Sequence, residues 1–254
     1  MVCIRQIVAS LETAVVRHNR RMLFTRNFYR ATAVCSCISA ATTLLLIFPP
    51  KFYGPVTSLE LRIALVDHPL YQLRAWSYLL HPFVVMTAAV GVAAALGRTA
   101  ASTVVPGLLG FLLWGFTEAA QQTLTLTAFH RWAEAYRTAD VAARETLRTQ
   151  IAVYDALWDS MFLLLLLGFL VGNVLYGIAT LHGRGLTRTI SWLYFAAAFL
   201  TLTILSGELR GPTLPDIVSE WLYPLLQPAA RFLIGVWLWR VSDTDREPSL
   251  TGQV

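Results

Sequence analysis

Charged residues are scarce in this chain of 254 residues: they make up 14% of it, whereas hydrophobic residues make up 56%. A soluble domain usually carries about 25% charged residues. A deficit of this size means that much of the chain is not in contact with water, which excludes a water-soluble domain as the class of the whole chain. The apolar segments fill most of its length, and this indicates one helical membrane domain.

Lysine is almost absent. Lys51 is the only lysine, and arginine supplies the other basic residues of a chain with a formal net charge of +5. No lysine lies inside an apolar segment, which excludes a retinal Schiff base. Basic charge on a membrane protein sets its topology or contacts anionic lipid, and no nucleic-acid-binding motif accompanies it here. We therefore expect the lipid bilayer, and not nucleic acid, as a partner.

Sequence motifs of known catalytic and metal sites are missing too. The chain has no His-Glu-x-x-His, no Gly-x-Ser-x-Gly, no P-loop, no Asp-Asp-x-x-Asp cluster and no glycine-rich dinucleotide fingerprint. Cys35 and Cys37 stand two apart on a predicted helix, so they point to different faces and are interpreted as packing residues. His81 is the only histidine inside an apolar segment, which argues against bis-histidine haem. We expect no cofactor and no metal, and whether the chain is an enzyme stays open.

Apolar segments of about 20 residues are long enough to cross a bilayer as helices. The sequence predicts an all-α, polytopic membrane protein whose domain, residues 31–240, crosses six times. The predicted spans are 31–49, 75–97, 103–128, 157–181, 189–207 and 218–239. Most tryptophans fall near the ends of these spans, as expected for side chains that prefer the membrane interface.

The two ends of the chain are polar. Residues 1–30 are predicted to form a basic amphipathic helix that lies along the cytoplasmic membrane surface or packs on the protein's own inner face. Its arginines place the N-terminus in the cytoplasm, and an even number of spans brings the C-terminus to the same side. Residues 241–254 are predicted to be a disordered cytoplasmic tail. The expected location is the cytoplasmic membrane of a bacterium.

Two long connections lie on the predicted outer side. Within residues 50–74 a short helix is predicted at 59–66. Residues 129–156 are predicted to be helical, with Asp140 as the N-cap. The face that leads into the fourth span is predicted to carry Val141, Leu147, Ile151, Tyr154 and Trp158.

Two charged residues lie near the middle of predicted spans, where a charge costs roughly 2.5–3.5 kcal/mol on insertion scales. Glu118 lies about midway along the third span and Arg231 about midway along the sixth. We expect the two to face each other in the bundle, since pairing would relieve the cost of either charge alone. Gln122 and Thr125 follow Glu118 at helical spacing, and this polar stripe must face protein or water.

These residues predict a polar cavity open to the outer side. It would be lined by the following side chains: His81, Glu118, Gln122, Asp159 and Arg231. Glu118, His81 and Asp159 are the candidate catalytic residues. Gln121, Gln122 and Arg231 are the candidate substrate-binding residues. The alternative is that Glu118, the glutamines and Arg231 only hold helices together, and Gly168 and Gly172 form a GxxxG motif suited to close helix contact.

The layout from Trp114 onward resembles a bacterial family of six-helix multipass membrane proteins with no assigned activity. The resemblance lies in the polar third span, the helical connection at Ala135–Asp155, and Phe169-Leu-Val-Gly-Asn-Val-Leu-Tyr-Gly in the fourth span. It covers about half of the chain and implies topology only.

Three function classes remain open. The first is an accessory or subunit-type membrane protein that contacts a protein partner through the membrane or through its N-terminal helix. The second is a transporter of a small solute or lipid that uses Glu118. The third is a membrane-embedded enzyme acting on a hydrophobic substrate, with Glu118 as the general acid.

Overall fold

The computed structural model describes residues 24–211, 218 and 222–243, and helices dominate this part of the chain. An amphipathic helix was predicted over residues 1–30. Residues 1–23 of this prediction lie outside the described residues. The helices are α1 Arg26–Ile47, α2 Pro49–Tyr53, α3 Leu59–Leu65, α4 Pro69–Leu96, α5 Ala101–Leu124, α6 His130–Thr138, α7 Val141–Thr180, α8 Leu186–Glu208 and α9 Tyr223–Asp243. A π-helical turn, Thr125–Phe129, joins α5 to α6.

Five of these segments are long and apolar enough to cross a membrane. They are Arg26–Tyr53, Pro69–Leu96, Ala101–Thr138, Val141–Thr180 and Leu186–Glu208. No strand occurs in the described part of the chain. The structure therefore agrees with the predicted all-α, polytopic membrane protein.

Polar caps fix where several helices begin. The Asp140 carboxylate accepts a hydrogen bond from the Ala143 backbone N–H at 2.9 Å, which confirms the predicted N-cap of α7. The Ser58 hydroxyl accepts from the Leu61 N–H at 3.2 Å and starts α3 where the short helix was predicted. The connection predicted over residues 129–156 is helical except at Ala139 and Asp140. Its second part continues directly into the membrane helix, and the two together form α7, which is 40 residues long.

The last described helix ends later than the sequence predicts. Val241, Ser242 and Asp243 belong to α9, so the prediction of a disordered tail from residue 241 is wrong for these residues. Asp243 accepts hydrogen bonds from the guanidinium groups of Arg26 at 2.9 Å and Arg30 at 3.3 Å. These ion pairs hold the end of α9 beside the start of α1. The predicted tail from 244 to 254 lies outside the described residues.

Glycines bring α5 and α7 into backbone contact. A Cβ atom on Gly168 would lie 2.8 Å from the Gly110 carbonyl oxygen and 2.8 Å from the Trp114 nitrogen. A Cβ on Gly110 would lie 2.7 Å from the Gly172 nitrogen. The GxxxG motif is therefore used for close helix contact, as predicted.

A hydrophobic cluster separate from the core of the bundle lies beyond one end of it. Its buried residues come from α3, the π-helical turn, α6 and the first turns of α7: Ile63, Val66, Phe129, Ala133, Tyr136, Ile151 and Tyr154. We call residues 59–67 with 125–155 the cap. Leu147 and Trp158 pack against this cluster as predicted, but Val141 is 88% exposed, so its predicted place on that face is wrong.

Ion pairs tie the parts of the cap together. Arg62 donates to Asp155 at 2.7 Å, Arg148 donates to Glu60 at 2.9 Å, and Arg137 pairs with Asp67. The Arg62 guanidinium also lies over the Phe129 ring, 4.1 Å from its centroid. Because Glu60, Arg62 and Asp67 lie on or just after α3, these contacts fix the first connection onto the second.

The glycine contact predicts a sharp difference between two alanine substitutions. Gly168→Ala should destabilise the protein by about 1–3 kcal/mol, because its new methyl group meets backbone atoms that cannot move without separating α5 from α7. Gly115→Ala should cost less, since its methyl meets the flexible Met86 side chain. Thermal unfolding in detergent measures both, and equal losses would contradict this account of the contact.

The cap should loosen on acidification through Glu60. The pKa of Glu60 is lowered by a hydrogen bond from its own backbone N–H and by the hydrogen bond from Arg148. A lowered carboxyl pKa contributes stability that is present above the ordinary glutamate value of about 4.3 and is lost as pH falls through the lowered pKa. Hydrogen exchange of residues 59–65, corrected for intrinsic rates, should therefore rise at acid pH.

Glu60→Gln should remove this acid-dependent step and raise exchange at neutral pH. Glu134→Gln is the matched control, since Glu134 is exposed on α6. An unchanged pH profile in Glu60→Gln would show that the ion pair does not hold the cap.

Candidate functional site

The polar stripe of α5 faces the interior of the bundle. Glu118 is 6% exposed, Gln121 1% and Gln122 6%. Burial of these side chains agrees with the expectation that they avoid lipid. The glycine contact with α7 places this face of α5 against the middle of the bundle.

A cavity of about 180 Å³ lies beside this stripe, and we call it the bundle cavity. Its polar lining residues are Thr43, Tyr78, His81, Glu118, Gln121, Gln122, Gln227 and Arg231. Its apolar lining residues are Leu46, Ile47, Trp114, Trp158, Phe162, Leu165, Leu166, Phe169 and Ile204. The structure therefore brings five of the predicted site residues together: His81, Glu118, Gln121, Gln122 and Arg231.

Glu118 has no protein partner among the described residues. Neither a hydrogen bond nor an ion pair joins its carboxyl group to any of them. A buried carboxyl group without a partner is costly in a protein interior. The hydrogen-bonding capacity of this carboxyl group is therefore not used by any described residue.

Arg231 reaches the same cavity from α9. Its guanidinium carbon lies 5.7 Å from the centroid of the Trp114 ring, a distance suited to a cation–π contact. The expected proximity of Glu118 and Arg231 is thus found. Both side chains line the bundle cavity, but no direct ion pair between them occurs among the described residues.

His81 is held at the cavity wall by two contacts. Its Nδ1 lies 2.7 Å from the Thr42 hydroxyl oxygen, and its ring meets the Trp114 ring edge-on at 6.0 Å between centroids. Nε2 makes no hydrogen bond to a described residue. Since Nδ1 is engaged by α1, Nε2 is the nitrogen left to contact a molecule in the cavity.

The two adjacent glutamines have different surroundings. The Gln121 amide donates to the Trp158 carbonyl oxygen at 2.8 Å and so links α5 to α7. The Gln122 amide makes no hydrogen bond to a described residue, although its side chain is buried. Gln121 therefore has the interhelical role that was the alternative for the whole stripe, whereas Gln122 does not.

Asp159 does not join the site. It is exposed on α7 and is not among the residues that line the bundle cavity. Its neighbour one turn earlier, Asp155, is bound to Arg62 in the cap. The structure thus gives Asp159 no contact that would let it assist Glu118.

Sequence reasoning missed Gln227. This residue is 6% exposed, lines the cavity, and its buried side-chain Nε2 finds no acceptor in the described part of the chain. The signal was available, because Gln227 precedes Arg231 by four residues and therefore shares its face of α9. Tyr78 and Trp158 were missed as well, since aromatic residues at span ends are ordinarily interfacial.

Two further cavities adjoin the bundle cavity. The first, which we call the cap cavity, measures about 180 Å³ and shares Tyr78, Gln122 and Trp158 with it. It is also lined by Arg62, Tyr71, Arg74, Ala75, Thr125 and Tyr154. The second is smaller, about 50 Å³, and shares Phe169, Gln227 and Arg231. The three form a row that runs from the cap into the bundle.

No group of three or more histidine, cysteine or acidic side chains that could hold a metal ion occurs within the described ranges. The chemistry that the site offers is therefore that of its own side chains: a carboxyl group, an imidazole, two amides without partners and a guanidinium group. Such a set binds a polar group by hydrogen bonds or exchanges a proton with it.

The two glutamines predict opposite results for one substitution. Gln121→Met should destabilise the protein by about 1 kcal/mol or more, because it removes a buried interhelical hydrogen bond. Gln122→Met should leave stability unchanged or raise it, since no hydrogen bond to a described residue is lost. Thermal unfolding in detergent checks both, and a larger loss in Gln122→Met would contradict the assignment of roles.

No family model, no curated protein and no solved structure matches this chain. The resemblance of the region from Trp114 onward to a bacterial multipass family therefore stays a prediction. The described residues form an all-α structure with five helices long and apolar enough to cross a membrane, which is compatible with a polytopic membrane protein.

Proposed function

We propose that this membrane protein binds a small polar or amphipathic solute in the bundle cavity, with Glu118 as a group that contacts it, and that it transports this solute. The observation that supports the proposal is the Glu118 carboxyl group, which is buried beside a cavity of about 180 Å³ without a described protein partner.

A purely structural role explains Glu118 less well. Polar residues that join membrane helices form hydrogen bonds across the interface, as Gln121 does with the Trp158 carbonyl oxygen. Glu118 forms none with a described residue, and Gln122 and Gln227 share this property. These groups form no hydrogen bonds with one another either, so nothing described offsets the cost of burying them. A molecule in the cavity is the simplest partner for them.

The lining indicates an amphipathic solute. One part of the wall is aromatic and aliphatic, including Trp114, Phe162 and Phe169. The other part carries the hydrogen-bonding groups of Glu118, Gln122 and Gln227. Ligand sites typically combine such an apolar wall with a few convergent polar groups that fix orientation.

Transport is favoured by the row of cavities. The cap cavity, the bundle cavity and the small cavity follow one another through shared walls, at Tyr78, Gln122 and Trp158 on one side and at Phe169, Gln227 and Arg231 on the other. A chain of adjoining cavities suits a molecule that moves along the bundle, whereas a single closed pocket would suit a reaction centre.

An enzyme remains the second candidate, since His81 and Glu118 line one cavity. In that case Glu118 would act as a general acid on a hydrophobic substrate, with His81 Nε2 as the assisting base. Asp159, which is exposed, would take no part. An accessory subunit, the remaining class, would reveal itself by a second polypeptide that co-purifies at fixed stoichiometry.

We propose six spans, with α9 as the sixth. It packs along α1, where a Cβ atom on Gly235 would lie 2.6 Å from the Cys37 sulfur. With six spans both ends of the chain lie on one side, as the contact of Asp243 with Arg26 supports. Ten arginines precede α1 in the sequence or flank this end of the bundle: Arg5, Arg17, Arg20, Arg21, Arg26, Arg30, Arg98, Arg184, Arg188 and Arg240. The other end carries eight basic residues: Lys51, Arg62, Arg74, Arg131, Arg137, Arg144, Arg148 and Arg210. By the positive-inside rule this side is cytoplasmic, and we place the chain in the cell membrane, with the N-terminal residues as an amphipathic surface helix.

The proposal is tested by native mass spectrometry of the full chain, purified in mild detergent with no ligand added. We expect a discrete small-molecule or lipid adduct on the wild-type protein. Glu118→Gln should lower its occupancy by about tenfold, because a hydrogen bond between the carboxyl group and the solute is lost or weakened. The mass of the adduct would define the class of solute.

Glu134→Gln is the matched control, because Glu134 is an exposed glutamate of α6 that does not line the bundle cavity. An adduct that persists equally in Glu118→Gln and in the control would overturn the role of Glu118. A folded wild-type protein that carries no adduct but does carry a second polypeptide would overturn the transport proposal in favour of the subunit.

A further inference from the structure

Arg74 carries a charge that no described acidic group neutralises. Its Nε donates to the Leu46 carbonyl oxygen at 2.9 Å, and its Nη2 lies 3.4 Å from the Tyr78 hydroxyl oxygen. An arginine has five N–H donors, so donors remain beyond these contacts. Arg74 lies on α4 at the membrane end nearest the cap, and it lines the cap cavity.

Arg62, the other arginine of the cap cavity, is neutralised by Asp155 at 2.7 Å and is held over the Phe129 ring. Asp155 is not among the residues that line the cap cavity. The lining therefore contains two guanidinium groups and no carboxylate, together with the hydroxyl groups of Tyr71 and Tyr154. Hydrogen-bond donors and excess positive charge of this kind attract an anion.

The cap cavity and the bundle cavity share a wall made of Tyr78, Gln122 and Trp158. The aromatic members of this wall can pack against an apolar segment, and the Gln122 amide has no described protein partner. A molecule that extends across this wall would place one end near Arg74 and the other along the aromatic and aliphatic part of the bundle-cavity wall.

We propose that the cap cavity is an anion-binding subsite, in which Arg74 binds the phosphate or carboxylate group of an amphipathic anion whose apolar part extends into the bundle cavity. This inference rests on the proposed function and narrows its solute class. The same anionic group could belong to a membrane lipid or to a soluble solute. Arg74 gives the subsite its unneutralised charge, whereas Arg62 shapes the wall.

A structural role for Arg74 alone would also fit its bond to Leu46, and this alternative makes a different prediction. An arginine that only anchors α4 to α1 would affect stability without discriminating between anionic and neutral ligands. A comparison of two ligands with one tail therefore separates the alternatives.

The experiment measures binding to the full chain in detergent by ligand-dependent shifts in Tm. The probes are octyl phosphate, octanol with the same tail and no charge, and inorganic phosphate. We expect octyl phosphate to bind more tightly than octanol. Arg74→Gln should weaken the binding of octyl phosphate by about tenfold or more, the loss expected for charge-assisted hydrogen bonds. It should leave the binding of octanol unchanged.

Two further variants keep the test informative. Arg74→Lys retains the positive charge and should retain part of the preference for octyl phosphate, which covers the case that Arg74→Gln folds poorly. Arg131→Gln is the matched control, since Arg131 is an exposed arginine of α6 that does not line the cap cavity. It should bind every probe as the wild type does.

The outcomes separate this inference from the proposed function. Equal binding of octyl phosphate and octanol to a protein that still carries its Glu118-dependent adduct would overturn the anion subsite and leave the solute site intact. An adduct on the wild-type protein that persists in Glu118→Gln would count against the proposed function itself, whatever the result with octyl phosphate. Where the subsite holds, Arg74-dependent binding of inorganic phosphate would indicate a soluble anion, and dependence on the octyl chain would indicate a membrane-borne one.

Discussion

The structure depends on one constraint of the bilayer: a polar group within it must find its hydrogen bonds inside the protein. Hydroxyl groups along the bundle meet this by donating to a carbonyl oxygen of their own helix, as Thr117 does to Leu113 at 2.7 Å and Thr201 to Ala197 at 2.8 Å. Others bond across helices, as Ser36 does to the Arg231 carbonyl oxygen at 2.6 Å. Against this background the groups without described protein partners stand out: Glu118, Gln122 and the Gln227 amide nitrogen. They share one cavity, which is where a bound molecule would complete their hydrogen bonds.

Small residues decide where that cavity lies. Gly110 and Gly168 let the backbones of α5 and α7 touch at one level. At the level of Glu118 the two helices carry large side chains instead, and Trp158, Phe162 and Leu165 of α7 stand back around the open space. The bundle is thus closed by glycine at one depth and lined by aromatic rings at another. Close packing and an internal cavity follow from the same pair of helices.

Hydrophobic length and periodicity were enough to predict the five long apolar helices, because both are properties of a single segment. They also predicted the burial of Glu118 and Gln122, since a polar stripe cannot face lipid. The helical connections predicted at 59–66 and 129–156 are found, but not their assembly into a cap, because the pairs Arg62–Asp155 and Arg148–Glu60 join residues far apart in the chain. Asp159 is an error of the opposite kind. It was predicted to line the cavity, but its position around α7 leaves it exposed. Gln227 was missed because only the three-dimensional structure shows that its buried amide nitrogen finds no acceptor among the described residues.

The cap gives a physical reason for the position of the cavities. Arg62 is fixed by Asp155 and by the Phe129 ring, and Tyr154 is fixed by a 2.7 Å hydrogen bond to the Thr125 hydroxyl group. These contacts hold one wall of the cap cavity rigidly above the membrane helices. Arg74, which lies on α4 and bonds to α1 through the Leu46 carbonyl oxygen, forms the facing wall. A charge presented in a partly enclosed space acts more strongly on an anion than the same charge in open water, because screening is weaker there. The cap therefore does more than cover the bundle, since it encloses the one arginine of that cavity whose charge is not offset by a described acidic group.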